Sequence, residues 1–244
     1  MKESNLPTES KNKQRLLLVF ALIFAIITVV FTIIVKNIDI RAIGPENSSV
    51  GLSSLNEFVR NLFPYGDGGI NELWYKITKY SGYLLFLPPI FFSIFGFVQL
   101  VYRKSFKKVD LAIKLLAIFY IATIATLAIF RKMVINYRPV LLDGALEASY
   151  PSSHTLFAIT VCGSTMLLTS RLLKLKHAKL VNVILLAVML VTIIGRLLSG
   201  VHWCTDILAG TLIALTLVFA FAGAIVRIPS NKEGASKTSG DVHD

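Results

Sequence analysis

The strongest constraint on this chain is a series of long apolar runs almost free of charge. Leu16 to Val35 is the clearest, and comparable runs recur to the end of the sequence. About twenty apolar residues suffice to cross the hydrocarbon core of a bilayer as a helix, which satisfies its own backbone hydrogen bonds where no water can. Six spans are predicted, at 16–35, 81–102, 111–130, 156–170, 180–195 and 207–226. The fourth and fifth runs are short, so their helices are expected to extend into flanking polar residues. Only 16% of the 244 residues are charged and 55% are hydrophobic, whereas soluble domains carry about a quarter charged residues. The fold class is therefore all-α, a polytopic membrane protein with one domain.

The formal net charge of +11 is confined largely to short clusters between the apolar runs. That arrangement points to anionic lipid head groups rather than nucleic acid as the partner. Lys2, Lys11, Lys13 and Arg15 precede the first span, and Arg103, Lys104, Lys107 and Lys108 follow the second. Arg171, Lys174, Lys176 and Lys179 lie between the fourth and fifth, and Arg227, Lys232 and Lys237 follow the sixth. In a six-span chain all four groups fall on one side. By the positive-inside rule that side is cytoplasmic, as are both termini. The expected organisation is a cytoplasmic tail (1–15), a membrane domain (16–226) and a second cytoplasmic tail (227–244), which is polar and expected to be disordered. The first run is longer than the core of a signal peptide and lacks a small-residue cleavage site, so it reads as a retained span. Cys162 and Cys204 sit about two helical turns apart in depth and are expected to remain unbridged.

Between the first two spans lies an external segment, 36–80. Leu55, Phe58, Val59, Leu62 and Phe63 recur there at helical spacing, with Ser53 or Ser54 as the expected cap. Pro64 ends the pattern, and Asp67-Gly68-Gly69 reads as a turn. Two placements fit this helix: in the head-group interface, or packed on the outer ends of the spans.

Three polar clusters stand at the outer ends of spans three to six. They are Arg131-Lys132 with Asn136-Tyr137-Arg138-Pro139, then Tyr150-Pro151-Ser152-Ser153-His154-Thr155, then Gly195-Arg196 with Ser199-Gly200, His202-Trp203-Cys204-Thr205 and Asp206. Each alone has an ordinary structural explanation: head-group anchoring, a helix start or an i,i+4 hydrogen bond. The topology read from the other basic residues nevertheless places all three on one face. Clustered arginines repel each other unless an anion sits among them, and guanidinium groups grip phosphate oxygens in bidentate fashion. The start of the fourth span adds free N–H groups suited to an anion. Asp206, one helical turn from His202, would fix the imidazole tautomer and leave its other nitrogen nucleophilic. His154 is placed to protonate a leaving oxygen.

These clusters resemble the three signatures of the type 2 phosphatidic acid phosphatase (PAP2) superfamily, which also includes vanadium haloperoxidases. The family pattern is Lys, six residues, Arg-Pro; then Pro-Ser-Gly-His; then Ser-Arg, five residues, His, three residues, Asp. Here Arg131 occupies the Lys position, with Lys132 adjacent as an alternative, followed by Arg138-Pro139. Pro151-Ser152-Ser153-His154 has Ser in place of Gly, and Gly195-Arg196, His202 and Asp206 have Gly in place of Ser. The resemblance implies a PAP2/haloperoxidase-like helical core, His202 as a nucleophile forming a phosphohistidine, and Asp206 as its orienting partner. It implies His154 as the acid and then the base, with Arg131, Arg138, Ser152, Ser153 and Arg196 holding phosphate. It implies no metal and no cofactor, and among the residues themselves no cluster of carboxylates or cysteines suits a metal.

The expected activity is metal-independent removal of phosphate from a lipid phosphate at the external face of the cell membrane. Candidate substrates are phosphatidic acid, phosphatidylglycerophosphate and undecaprenyl diphosphate. Two alternatives stand beside it: a phosphotransferase using the same phosphohistidine, and a non-catalytic protein that binds or transports lipids. No obligatory protein partner is evident.

Overall fold

Helix formation follows the apolar runs, but the helices overrun them wherever polar residues continue the turn. In the computed structural model, which describes residues 8–172 and 177–228, eight α-helices succeed one another. They are α1 (Thr8–Asn37), α2 (Ser53–Asn61), α3 (Glu72–Leu84), α4 (Leu87–Arg103), α5 (Leu111–Met133), α6 (Ser153–Leu172), α7 (Ala178–Leu198) and α8 (Cys204–Ile225). No strand occurs among the described residues, only isolated bridges. Five helical segments are long and apolar enough to cross a membrane, with α3 and α4 counting as one. The remaining predicted span, the fourth (156–170), is α6, whose apolar part is shorter. The predicted disorder of 229–244 lies outside the described residues, as do Lys2, Lys174 and Lys176.

The second span departs most from expectation. Helix begins at Glu72 instead of near 81, and it breaks at Leu85–Phe86. Pro88 and Pro89 explain the break, because they lack the N–H groups that would bond to Leu84 and Leu85 one turn earlier, and their rings crowd those carbonyls. Leu85 and Phe86 instead bond back to Ser81 and Tyr83. Upstream, Asn71 caps α3, its Oδ1 accepting from the Trp74 N–H at 3.2 Å.

Helix α8 is the axis of the bundle. Helices α1, α2, α5, α6 and α7 all pack against it, and it buries Ile207, Ala209, Gly210, Ile213 and Ala214 in succession. Small residues set the closest crossings. A Cβ at Gly210 would lie 2.9 Å from the Ser152 carbonyl oxygen, and one at Gly163 would lie 3.2 Å from Val218. Such positions let helix backbones approach where apolar lipid gives no hydrophobic drive for packing. The side chains facing away from this axis on α1, α4, α5 and α7 are large and apolar, among them Ile26, Phe97, Ile121 and Val183.

The segment before α3 inverts the usual pattern of a surface helix. In α2, Ser53 and Asn56 are buried, whereas Leu55, Phe58 and Leu62 are exposed. The apolar face is thus turned away from the bundle, as an interfacial helix requires, while the polar face packs on the start of α8 through Asn56 and Thr205. Neither Ser53 nor Ser54 caps α2. Asp39 does so from a distance, its Oδ2 accepting from the Ser54 N–H at 2.6 Å, while the Ser53 hydroxyl donates to the Val50 carbonyl. Helix α2 ends at Asn61, ahead of Pro64, and Asp67–Gly69 forms a 3-10 turn.

Because α6 and α8 meet at Gly210, enlarging that residue should be costly. Gly210→Leu is expected to destabilise the protein by about 1–3 kcal/mol through overpacking, seen as a lower midpoint of thermal unfolding in detergent.

Candidate active site

All three clusters meet at one end of the bundle, where the C-terminal ends of α5 and α7 adjoin the N-terminal ends of α6 and α8. The loop from Asn136 to Ser149 folds back on itself, with Ser149 N–H donating to the Asn136 carbonyl and Arg138 N–H to the Glu147 carbonyl. Two buried amides tie this end together. Asn136 Oδ1 accepts from the Gly51 N–H at 3.0 Å. Asn56 Nδ2 donates to the Thr205 hydroxyl at 3.0 Å, and its Oδ1 accepts from the Thr205 N–H at 3.2 Å. Arg60 adds a third tie, donating to the Gly200 carbonyl at 2.8 Å and the Gly69 carbonyl at 2.9 Å. Its guanidinium also lies over the rings of Tyr65 and Trp203. The loop Ser199–Trp203 is therefore held from the side of α2.

His202 sits in that loop, one residue ahead of the Trp203 cap of α8, so it and Asp206 are not two positions on one helix. The loop nevertheless brings them together, with His202 Nδ1 3.4 Å from Asp206 Oδ2. Asp206 Oδ2 also accepts from the Trp203 N–H at 3.0 Å, which locks the carboxylate at the start of α8. On the other edge of the ring, Arg138 Nη1 lies 3.1 Å from His202 Nε2. A guanidinium has only donors, so Nε2 must accept. The proton then belongs on Nδ1, directed to Asp206, and the Nε2 lone pair faces Arg138. Burial and the positive charges of Arg138 and Arg196 hold the His202 pKa well below the usual histidine value. The resting imidazole is neutral.

Arg138 is itself restrained, by Glu147 Oε2 at 2.9 Å from its Nε and by the Val201 carbonyl at 3.1 Å from Nη1. Arg196 is 2% exposed. Its Nη1 donates to Thr78 Oγ1 at 3.4 Å, and its buried Nε has no partner among the described residues. A buried cation with a free donor is a site prepared for an anion. Gly195 has a local reason: a Cβ there would lie 2.5 Å from Thr78 and 3.0 Å from Trp74, so the serine of the resembled signature would collide with α3.

Two adjoining cavities occupy this end. One, of about 530 Å3, is lined by Arg138, Ser153, His154 and Arg196, with Lys79 and Tyr75 from α3. Its remaining wall is apolar, with Phe86, Leu127 and Phe157 running towards the α3–α4 break. The other, of about 370 Å3, is lined by Arg131, Arg138, Ser153 and His202. Arg138 and Ser153 are common to both and mark the junction. Arg131 therefore reaches the site, whereas Lys132 is exposed and lines neither cavity. Ser152 lies behind the cavity wall, its hydroxyl accepting from Thr155 N–H and Thr155 Oγ1 at 3.4 and 3.1 Å. The ring of His154 faces Gly82, where a Cβ would come within 3.3 Å of its Nε2; its buried Nδ1 has no partner among the described residues.

Comparison with known proteins agrees with this geometry. The family model of the PAP2 superfamily matches residues 132–229. The match takes in Arg138, His154, Arg196, His202 and Asp206 and stops one residue short of Arg131. No curated protein matches the sequence significantly. Among solved structures, the chain is similar to a transmembrane PAP2-type phosphatidylglycerolphosphate phosphatase from Bacillus subtilis, with 21% identity and a TM-score of 0.59. The similarity covers 86% of this chain and 98% of the other, so the likeness in fold extends well beyond the residues of the family match.

Sequence reasoning did not find Glu147, Asn56, Arg60, Tyr75 or Lys79. Only Glu147 had a legible signal, as an acidic residue beside the second cluster.

The depressed His202 pKa gives a test with a definite sign. Below about pH 6.5 the unfolded chain takes up a proton on this residue that the folded protein refuses, so stability falls with pH, by roughly 1 kcal/mol per unit. His202→Asn is expected to flatten that slope in denaturant unfolding between pH 7.5 and 5.

Proposed function

We propose that this protein is a PAP2-type lipid phosphatase that transfers phosphate from a lipid to His202 and then to water, without a metal. The observation that carries this reading is the pairing at His202: a neutral imidazole whose Nδ1 faces Asp206 and whose Nε2 lone pair faces Arg138. The match to the PAP2 superfamily supports the phosphatase class.

In the first step the substrate phosphate displaces Arg138 from His202 Nε2 and settles between Arg138, Arg196 and Ser153. The amino-terminal N–H groups of α6 add to its binding. Nε2 then attacks phosphorus, the bond to the leaving oxygen breaks, and His154, which takes up a proton as the anionic phosphate binds beside it, gives that proton to the leaving oxygen. Asp206 stabilises the positive charge that grows on the imidazole, and its long contact with Nδ1 shortens as it does so. In the second step His154, now neutral, takes a proton from water as the water oxygen attacks phosphorus. The nitrogen–phosphorus bond breaks and free phosphate leaves. Fixed arginines in a site largely closed to water supply the charge stabilisation that this slow reaction needs.

The substrate is amphiphilic. The polar end of the larger cavity holds the cations, while Phe86, Leu127 and Phe157 offer an apolar path for an acyl or prenyl chain. Phosphatidic acid, phosphatidylglycerophosphate and undecaprenyl diphosphate remain the candidates, and the similarity to a phosphatidylglycerolphosphate phosphatase favours the second. The basic ends of α4, α6 and α8 lie opposite the site, and the positive-inside rule assigns them to the cytoplasm. The site then opens at the external face of the cell membrane.

The purified protein in detergent, with EDTA present, should release phosphate from at least one of these lipids. His202→Ala should lower the rate at least about 1,000-fold, as loss of a nucleophile does, and quenching into alkaline SDS, in which a phosphohistidine survives, should trap labelled phosphate on the wild type alone. Phosphate release undiminished by His202→Ala would overturn the mechanism. Labelled phosphate passing to an added lipid or glycan faster than to water would show a transferase instead.

A further inference from the structure

One cation in the larger cavity has no part in the reaction described. Lys79 lines the same space as His154, Arg138 and Arg196. Its place is fixed by α3, which presents Tyr75, Lys79, Gly82 and Tyr83 to the cavity, the spacing of a single helical face. The opposite face of α3 is held to α7, with Thr78 3.4 Å from Arg196 and the Ser81 hydroxyl 3.0 Å from that of Thr192. Lys79 thus follows the residue that touches Arg196, and it precedes by three positions the glycine that abuts His154. Three residues are about 4.5 Å along a helix axis, a distance that a lysine side chain readily spans.

The cations of the cavity lie at two depths: Arg138 and Arg196 are buried, whereas Lys79 is exposed. Arg138 already faces Glu147, and Arg196 brings a free Nε to the phosphate that reacts. Lys79 takes part in none of the ion pairs among the described residues, the nearest lysine pair being Lys76 with Glu72. A cation at the exposed rim is placed for negative charge that lies outside the buried pair, further along the substrate from the reacting phosphate. An ammonium on a flexible stem also suits a phosphate whose position varies, where a guanidinium fork would demand fixed geometry.

We propose that Lys79 forms a second anion subsite, which favours lipids carrying two phosphates over lipids carrying one. The second phosphate is either the inner group of a diphosphate or a phosphodiester a few bonds from the reacting monoester. This rests on the phosphatase reading above and sharpens its substrate class.

The test is steady-state kinetics of the full chain in detergent on phosphatidic acid, phosphatidylglycerophosphate and undecaprenyl diphosphate, for wild type, Lys79→Gln and Lys79→Arg. Lys79→Gln is expected to raise KM about tenfold for a two-phosphate lipid, as loss of a charged contact does. Phosphatidic acid should change less than about twofold, which also reports correct folding, and Lys79→Arg should restore most of the loss. A penalty on only one of the two-phosphate lipids identifies which kind of second phosphate the subsite holds. Equal penalties on all three lipids would overturn the subsite, placing Lys79 on the reacting phosphate. An unchanged KM throughout would overturn it in favour of a lysine that only anchors α3 to bulk head groups, and so would a wild type that accepts phosphatidic acid alone. Failure of the wild type to release phosphate from any lipid would instead remove the phosphatase reading itself.

Discussion

The site depends on positive charge held in a largely dry place. Arg196 is buried with one donor unused, and Arg138 is buried with its Nη1 against the ring of His202. Burying such groups is costly unless each is matched, and here the matching is incomplete. Glu147 and backbone carbonyls satisfy Arg138 in part, Thr78 satisfies one nitrogen of Arg196, and the remainder is left for an incoming anion. Burial, together with this unmet charge, keeps His202 neutral, because protonating it would add another cation to the group. In the proposed mechanism, phosphate affinity and nucleophile readiness would come from one electrostatic arrangement. Removing either arginine should disturb both.

Holding that arrangement is the task of the elements around it. The close approach at Gly210 seats the start of α6 on α8, and Ser152 N–H donates to the Asp206 carbonyl there at 2.9 Å. The His154 and Asp206 motifs are thereby joined through backbone. From the other side, Asn56, Asn136 and Arg60 hold the loop that carries His202, using polar groups buried at the membrane boundary. Buried amides with all their bonds made are rigid, because any slip leaves a donor or acceptor stranded. Helix α2 gives its polar face to this purpose, which leaves Leu55, Phe58 and Leu62 outward.

Much of this was legible in the sequence, for reasons that differ by feature. Apolar runs declare helices in a membrane because the bilayer permits little else, so most spans were placed within a few residues. The second span was misplaced because Glu72, Lys76 and Lys79 look like the end of a loop, although they continue a helix whose buried side is Thr78 and Ser81. The motifs carrying His154, Arg138, Arg196, His202 and Asp206 were visible because their spacing is a chemical requirement. Local capping failed at Ser53 and Ser54 because the cap is Asp39, supplied through a fold that no local pattern encodes. Asn56 and Arg60 escaped because they act through partners 149 and 140 positions away, and distance in sequence erases the signal.

The central position of α8 also bears on how the chain is made. Synthesis proceeds from the amino terminus at about 5–20 residues per second, and α8 is the last of the eight helices to emerge. Until it arrives, α1, α5 and α6 lack their common packing surface, Asn56 lacks Thr205, and Arg138 lacks His202. The newly inserted helices must therefore stay loosely associated for most of translation, with polar side chains near the membrane surface still in search of partners. Any factor that attends the protein during insertion meets this open intermediate, and the arrival of α8 is the event that closes it.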